Sequence, residues 1–379
     1  MEVALHDRID VVNCGELVLD EIRTFMSRFV TFPSPAVLDA VTLWIGHTHV
    51  LDGAGRLGFE TSPRIAFLSD EPASGKTTAL EMVTRLANRG RISIDMTAPG
   101  LAISIAEKQG TIGLDELDVL FGAGGAKSVL RSLLNAGYKR GATWTRKAND
   151  DLPIFGPVAM AGLAKKWRSA TALSPLRSRT IQIEMRRGRG PAERYRPRLH
   201  DALSAELRGV LSKWAARYAP LILEDWPSLP EGVTDRDEEV WEPLFMVANA
   251  AGGHWPASVE RACRELVLGE STVPDEPTVR MRLLADLRWV FGEAERMTTV
   301  QIVAGLHDLP GSEWKKLWPN PATAPRELSL MLGEDVSPIK VRVGEQSLRG
   351  YSRKDLEPLW AAVPGVPGVF NDGLEVEAV

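Results

Sequence analysis

The feature that most restricts the fold is a short apolar run, Ile65-Ala66-Phe67-Leu68, that leads into Asp70-Glu71-Pro72-Ala73-Ser74-Gly75-Lys76-Thr77-Thr78. A helical pattern follows over residues 77–88. A strand, a turn-rich loop and a helix in that order aim backbone N–H groups and the positive end of a helix dipole at one point. A phosphate chain fits such a point, and this is the context that a P-loop motif requires. Gly75 permits close backbone approach, Lys76 would neutralise phosphate oxygens, and Thr77 would place a hydroxyl on Mg²⁺. The motif departs from its usual form at one position, because Asp70 stands where the first glycine is expected. An Asp can take up the left-handed backbone that a glycine would use there.

The same alternation continues downstream. Ile92–Met96 reads as a strand, Pro99–Lys108 as a helix, Thr111–Leu114 as a strand, 126–136 as a helix, and Val158–Ala161 and Thr180–Glu184 as strands. With Ile65–Leu68 this predicts an α/β fold, a three-layer sandwich around a mostly parallel five-stranded sheet. Upstream, Val18, Ile22, Phe25, Met26 and Phe29 repeat at helical spacing, and Ser34-Pro35 opens a second helix with a capping serine and a proline in the first turn.

The third strand ends in Asp115-Glu116. Asp115 would join Thr77 in holding Mg²⁺, and Glu116 would orient and deprotonate an attacking water. The 38 residues between Lys76 and Asp115 leave room for a helix, a strand and another helix.

The chain has 379 residues, which points to two or three domains. The expected divisions are an N-terminal helical region (1–58), the α/β core (59–198), a helical, lid-like domain (199–268) and a linker (269–279). A C-terminal domain (280–362) and an acidic, disordered tail (363–379) follow. Its two cysteines, Cys14 and Cys263, are far apart, so no disulfide framework or zinc cluster is expected. No apolar run is long enough to span a membrane, and no leader pattern opens the sequence, so a cytoplasmic protein is expected. His47 and His49 lack a third ligand and read as structural.

The net charge of −5 hides an asymmetry, because Lys165 to Arg198 carries eleven Lys/Arg against two acids. Arg177 and Arg179 precede the fifth strand, where an arginine can reach into a neighbouring subunit's site, or simply serve as a surface cation. Arg140 and Arg146 flank a glycine-bearing, hairpin-like segment and read as pore-lining residues or solvated charges. Arg186 and Arg187 belong to the basic block and would attract a phosphate backbone or face another protein surface. The fourth strand lacks a polar residue at its end, and Lys165 is the nearest substitute.

The C-terminal stretch gives helices, a hairpin and a last helix, the order of a winged helix. From Pro338 to Lys354, five cations including Lys340, Arg342 and Arg349 face one acid, Glu345. Such a wing contacts phosphates or packs on protein.

Taken together, several segments resemble one family. They are Phe32-Pro33-Ser34-Pro35, Thr42–His49, Ser74–Thr77, Leu114–Glu116, Leu134–Gly137, Arg140–Thr143, Phe155–Ala159 and Ala251–Pro256. The chain is similar to uncharacterised P-loop proteins of actinobacteria, their phages and mobile elements, often labelled helicase- or primase-associated. The resemblance implies an AAA+-like ATPase core that uses ATP and Mg²⁺. The resulting expectation is an oligomeric ATPase that acts on DNA, such as a replicative helicase or initiator in a hexameric ring, with a replication protein as a further partner. The alternative is a nucleotide-gated module, a loader, regulator or assembly factor, whose winged helix engages protein. A DNA-packaging or defence ATPase is a third reading.

Overall fold

A computed structural model of the chain describes residues 14–93, 96–117, 125–145, 151–187, 193–270, 279–320, 322–332, 336–344 and 346–361. The middle of the expected linker (271–278), the tail (363–379), Asp118, Arg146, Arg189 and Glu345 lie outside these residues. The chain divides into two compact units, Met1–Pro274 and Asp275–Val379.

The first unit begins with α1 (Gly15–Phe29) and α2 (Pro35–His47). Ser34 caps α2 as the sequence predicts, its hydroxyl accepting from the Val37 N–H at 3.1 Å. The sheet region follows as β1 (Arg64–Leu68), α3 (Lys76–Leu86), β2 (Arg91–Ser93), α4 (Ala98–Lys108), β3 (Ile112–Leu114) and α5 (Gly125–Ala136). Next come a two-stranded hairpin, β4 (Thr143–Thr145) with β5 (Asp151–Pro153), then β6 (Val158–Gly162), α6 (Ala164–Ser169), α7 (Ser174–Arg177) and β7 (Thr180–Glu184). Three helices close the unit, α8 (Pro197–Glu224), α9 (Asp235–Ala251) and α10 (Trp255–Cys263).

The sheet has five parallel strands in the order β2-β3-β6-β1-β7. Alternate residues of its central strands enter different cores. Ile65, Phe67, Ala159, Ala161, Ile181 and Ile183 pack with α1, α2, α3 and α8–α10. Ala66, Leu68, Ile112, Leu114, Val158 and Met160 pack with α4, α5 and α6. Both faces are covered, which is why β1 and β6 read as continuous apolar runs rather than alternating ones. Two stretches expected as separate divisions, 1–58 and 199–268, supply residues to the same core on one face of the sheet.

One buried cation ties the amino-terminal end of the sheet together. Arg64 is fully buried at the start of β1. Its Nε and Nη2 donate to the Leu134 carbonyl at 3.2 and 3.1 Å, and its Nη1 donates to the Gly156 carbonyl. Burial brings its pKa down to about 9, yet the guanidinium stays charged near neutral pH.

His47 and His49 are structural, as expected. The His47 Nδ1–H donates to the Trp44 carbonyl and its Nε2 accepts from Ser62 at 3.1 Å. The His49 Nε2–H donates to the Leu86 carbonyl and its Nδ1 accepts from Ser212, both at 2.8 Å. Burial lowers the two pKa values to about 3 and about 4, so both rings are neutral.

The second unit contains α11 (Val279–Phe291), β8 (Arg296–Thr298), α12 (Thr299–Asp308), α13 (Trp314–Leu317), α14 (Ala324–Leu332), β9 (Ile339–Val343), β10 (Gln346–Ser352) and α15 (Arg353–Ala361). The expected hairpin is present as β9 and β10, and β8 adds a third antiparallel strand in the order β8-β10-β9. Thr298 and Gln301 form a reciprocal capping box at the start of α12. Among the described residues no helix is long and apolar enough to cross a membrane.

Two outcomes test this packing. Replacing Arg64 with Met should leave the Leu134 and Gly156 carbonyls without donors and cost about 2–4 kcal/mol in urea unfolding. Acid should also destabilise the protein through His47 and His49. Their folded pKa values lie below the unfolded value, so the unfolded chain binds more protons as pH falls from about 6.5 toward 4. Stability present above pH 6.5 is then lost by up to about 1.4 kcal/mol per pH unit for each histidine. His49→Gln, which keeps one donor and one acceptor, should show a shallower loss in melts recorded from pH 7.5 to 5.

Candidate functional site

The segment 69–75 leaves the carboxyl end of β1 and delivers the chain into α3. Gly75 is the residue before the helix, at φ +85°, so a side chain at this position is strained whatever space surrounds it. Ala73 is also left-handed, at φ +57°, an unusual state for a residue with a Cβ. The expected left-handed residue, Asp70, is not among the positive-φ positions. The Ser74 side chain is buried and its hydroxyl has no hydrogen-bond partner. Lys76 opens α3 half-buried, and Thr77 is exposed beside it.

Asp70 has a different task from shaping the loop. One carboxylate oxygen accepts from the Lys165 backbone N–H at 2.7 Å, in the first turn of α6. The other lies 3.6 Å from Arg168, which also pairs with Glu184 at the end of β7. Glu71 accepts from the Arg187 backbone N–H at 2.9 Å. Carboxylates of the loop thus lace together the carboxyl ends of β1, β6 and β7. Sequence reasoning missed Arg168, whose partners are distant along the chain. The only local signal is a cluster of cations opening a short helix.

Asp115 and Glu116 follow β3 directly. Ala66 of β1 pairs with Met160 of β6, and Met160 pairs with Leu114 of β3. The acidic pair therefore leaves β3 level with Phe67 and Leu68, at the same end of the sheet as the loop. With one strand between them, the backbones of β1 and β3 are about 10 Å apart. Glu116 is left-handed at φ +56°, and its N–H donates to the Asp115 carboxylate at 2.9 Å. Leu117 fixes this turn by packing on Gly162, where an added Cβ would come within 2.7 Å of the Leu117 Cβ. Asp115 is half-buried and Glu116 is exposed.

The remaining sequence candidates are spread out. Thr180 pairs with Arg64, so Arg177 and Arg179 stand at the amino-terminal end of the sheet, away from the loop. Arg177 donates to the Trp167 and Ala170 carbonyls at 2.8 and 2.9 Å. Arg179 donates to the Pro175 carbonyl and lies over the Tyr138 ring, 4.9 Å from its centroid. The Arg140 guanidinium donates to the Leu57 and Phe59 carbonyls at 2.7 and 3.0 Å and lies 3.4 Å from Asp52. Arg186 and Arg187 are exposed just beyond β7. In the second unit Lys340 is directly opposite Arg349 across the β9–β10 pair, and Arg342 is opposite Ser347. All three cations project from one exposed face of the hairpin, and Val341 turns inward on the other.

Residues 182–362 match a family described as "Protein of unknown function (DUF3631)". A protein of Saccharopolyspora erythraea named "Uncharacterized 28.9 kDa protein in xis 5'region" is 30% identical over 179 residues. That similarity spans 46% of this chain and 66% of the relative's length, just under two thirds.

Replacing Asp70 with Ala should loosen the start of α6 and cost about 1 kcal/mol in urea unfolding. Asp70→Asn, which keeps an oxygen acceptor for the Lys165 N–H, should cost less than half of that.

Proposed function

We propose that this chain is a P-loop, AAA+-like ATPase that works on DNA, as a motor or initiator of a mobile genetic element. The observation that carries the reading is the pairing of two segments at one end of the sheet. A glycine–lysine–threonine loop enters a helix there, and an acidic pair follows a strand one position removed. Anions are favoured at the first segment by N–H donors and Lys76. Cations and proton transfer are favoured at the second.

The residues present fit a nucleotide and a metal. The Ser74 hydroxyl is buried without a partner inside the loop, and Gly75 leaves the approach to it free of a side chain. Segment 70–78 would cradle the phosphates of ATP, and the Thr77 hydroxyl with the Asp115 carboxylate would hold Mg²⁺. The ion, when bound, neutralises charge on the phosphate oxygens. Lys76 holds the terminal phosphates, and Glu116 accepts a proton from the attacking water. Within that segment the Asp70 carboxylate is taken up by α6 and Arg168, so Asp70 would contribute backbone and loop shape rather than its side chain.

DNA is supported by the hairpin of the second unit, whose helix–hairpin–helix order is read as a winged helix. Like charges placed directly opposite each other destabilise a strand pair, so Lys340 beside Arg349 costs stability unless an anion lies across them. A phosphate backbone supplies that anion without any reading of sequence. The xis-adjacent name of the relative agrees with a mobile-element setting.

A second reading has its own support. Arg177 and Arg179 are both committed to carbonyl groups of their own chain. An arginine held in this way must first be released before it can serve a neighbour's phosphates. A nucleotide-gated loader or regulator needs no such finger.

ATP turnover with and without single- and double-stranded DNA, alongside mass in solution with ATP, separates the readings. The motor reading expects turnover that rises several-fold with DNA, falls with salt, and accompanies a ring-sized assembly. Turnover indifferent to DNA at every salt concentration supports the loader. Lys76→Ala should abolish nucleotide binding. Glu116→Gln should keep ATP bound while slowing hydrolysis about 10²-fold or more. Wild-type hydrolysis by either variant refutes the assignment of the site.

A further inference from the structure

A cavity of about 360 Å³ lies at the amino-terminal end of the sheet, the end opposite the phosphate loop. Gly110, just before β3, and Pro157, just before β6, are part of its wall. Strands of a parallel sheet all run the same way, so these residues are a full strand length from Ser69 and Asp115. The volume is that of a site for one small organic molecule. Apolar side chains of its wall include Phe155, Ile105, Leu51 and Leu57, which stem from separate parts of the first unit.

The charges around the cavity do not cancel. Arg140 faces Asp52 at 3.4 Å, lies 3.9 Å from Glu60, and donates from Nε and Nη2 to the Phe59 and Leu57 carbonyls. The Asp52 carboxylate also accepts from the Ala54 and Arg56 backbone N–H groups, each at 2.9 Å. That pair is internally satisfied. Arg56 is different, because its exposed guanidinium meets no acceptor among the described residues, and it stands at the cavity wall. Asn88 and Gln109 add amide groups to the rim.

We propose that this cavity binds a small aromatic monoanion, its ring against Phe155 and Ile105 and its charged group on Arg56. A flat ring matches apolar walls that have no buried ionic group left to solvate. One negative charge matches Arg56, the cation that the described residues of the wall leave unpaired. A neutral ligand forfeits that contact, and a polyanion finds no second free cation among the described residues of the wall. The site is separate from the proposed nucleotide site and stands whether or not that reading holds.

Calorimetric titration of the full-length protein with 2-naphthoate, and with neutral 2-naphthamide as its isostere, tests the assignment. Saturable binding of naphthoate is expected, with the amide about tenfold weaker, a difference of about 1.4 kcal/mol. Arg56→Gln should erase that difference while leaving amide binding unchanged. Ala106→Trp should fill the cavity and abolish both. Thr143→Trp, an exposed position on the hairpin at the rim, serves the same purpose should the first variant unfold. Lys76→Ala and added ATP should leave naphthoate binding intact, which separates this result from any failure of the nucleotide site. The proposal is overturned if naphthoate does not saturate up to its solubility limit, if the amide binds as tightly, or if a folded cavity-filling variant binds as wild type does.

Discussion

The chemistry proposed for this chain depends on a sheet whose faces are both withdrawn from water. Successive residues of β1 and β6 feed alternately into one core with α1–α3 and α8–α10 and another with α4, α5 and α6. Neither face can slip by one residue without exchanging the contents of two different cores, so the register is strongly fixed. A fixed register is what holds the end of β1 level with the end of β3. The loop 69–75 and the Asp115-Glu116 turn are then rigidly spaced, although neither segment touches the other through strand pairing.

Closing such a sheet creates a polar problem at its amino-terminal end, where connecting segments bring carbonyl groups inside. Arginines solve it here. Arg64, Arg140 and Arg177 each donate to two carbonyl groups, and Arg179 to one. A guanidinium suits this task because its donors spread in one plane and its charge persists after partial desolvation. The same properties make arginine the residue of choice at phosphates. That overlap is why arginines of structural use are easily read from sequence as ligand-binding ones.

What was legible in the sequence follows from the range of the interactions involved. The Ser34-Pro35 cap, the Thr180–Glu184 strand and the β9–β10 hairpin are local, and the structure has them where residue patterns put them. Strands β4, β5 and β8 have three residues each and lack the apolar run that marks the equally short β3. The strand order is invisible locally, since it is decided by which helices cover which face. The side-chain partners of Asp70 are hidden for a related reason. Its departure from glycine suggests a backbone effect, but the carboxylate serves Lys165 and Arg168, 95 positions or more along the chain. The cavity at the far end of the sheet was hidden as well, because its wall is assembled from five separate stretches of chain.

Consistency between local preference and global fold is the rule in natural sequences, and departures concentrate where something outside the chain compensates. Most departures in this molecule have an internal remedy. Arg64 finds carbonyls, and His47 and His49 find complete sets of partners as neutral rings. A few do not. Ala73 and Glu116 hold left-handed backbone at the carboxyl end of the sheet, as Arg89, Gln109 and Asp235 do elsewhere, the Ser74 hydroxyl is one of several buried polar atoms without a partner among the described residues, and Lys340 stands opposite Arg349. These costs are each modest, of the order of 1–3 kcal/mol for the backbone and orphaned-group terms. Of these, a bound phosphate would relieve the unpaired Ser74 hydroxyl and the Lys340–Arg349 repulsion, because it offers an acceptor to the one and negative charge to the other. The residues that match a family of unknown function include the cationic hairpin but not the loop, so two anion-seeking features arise from stretches of chain that sequence comparison treats differently. The proposed function draws on both, a loop that would hold phosphates in the first unit and a hairpin that would meet a phosphate backbone in the second.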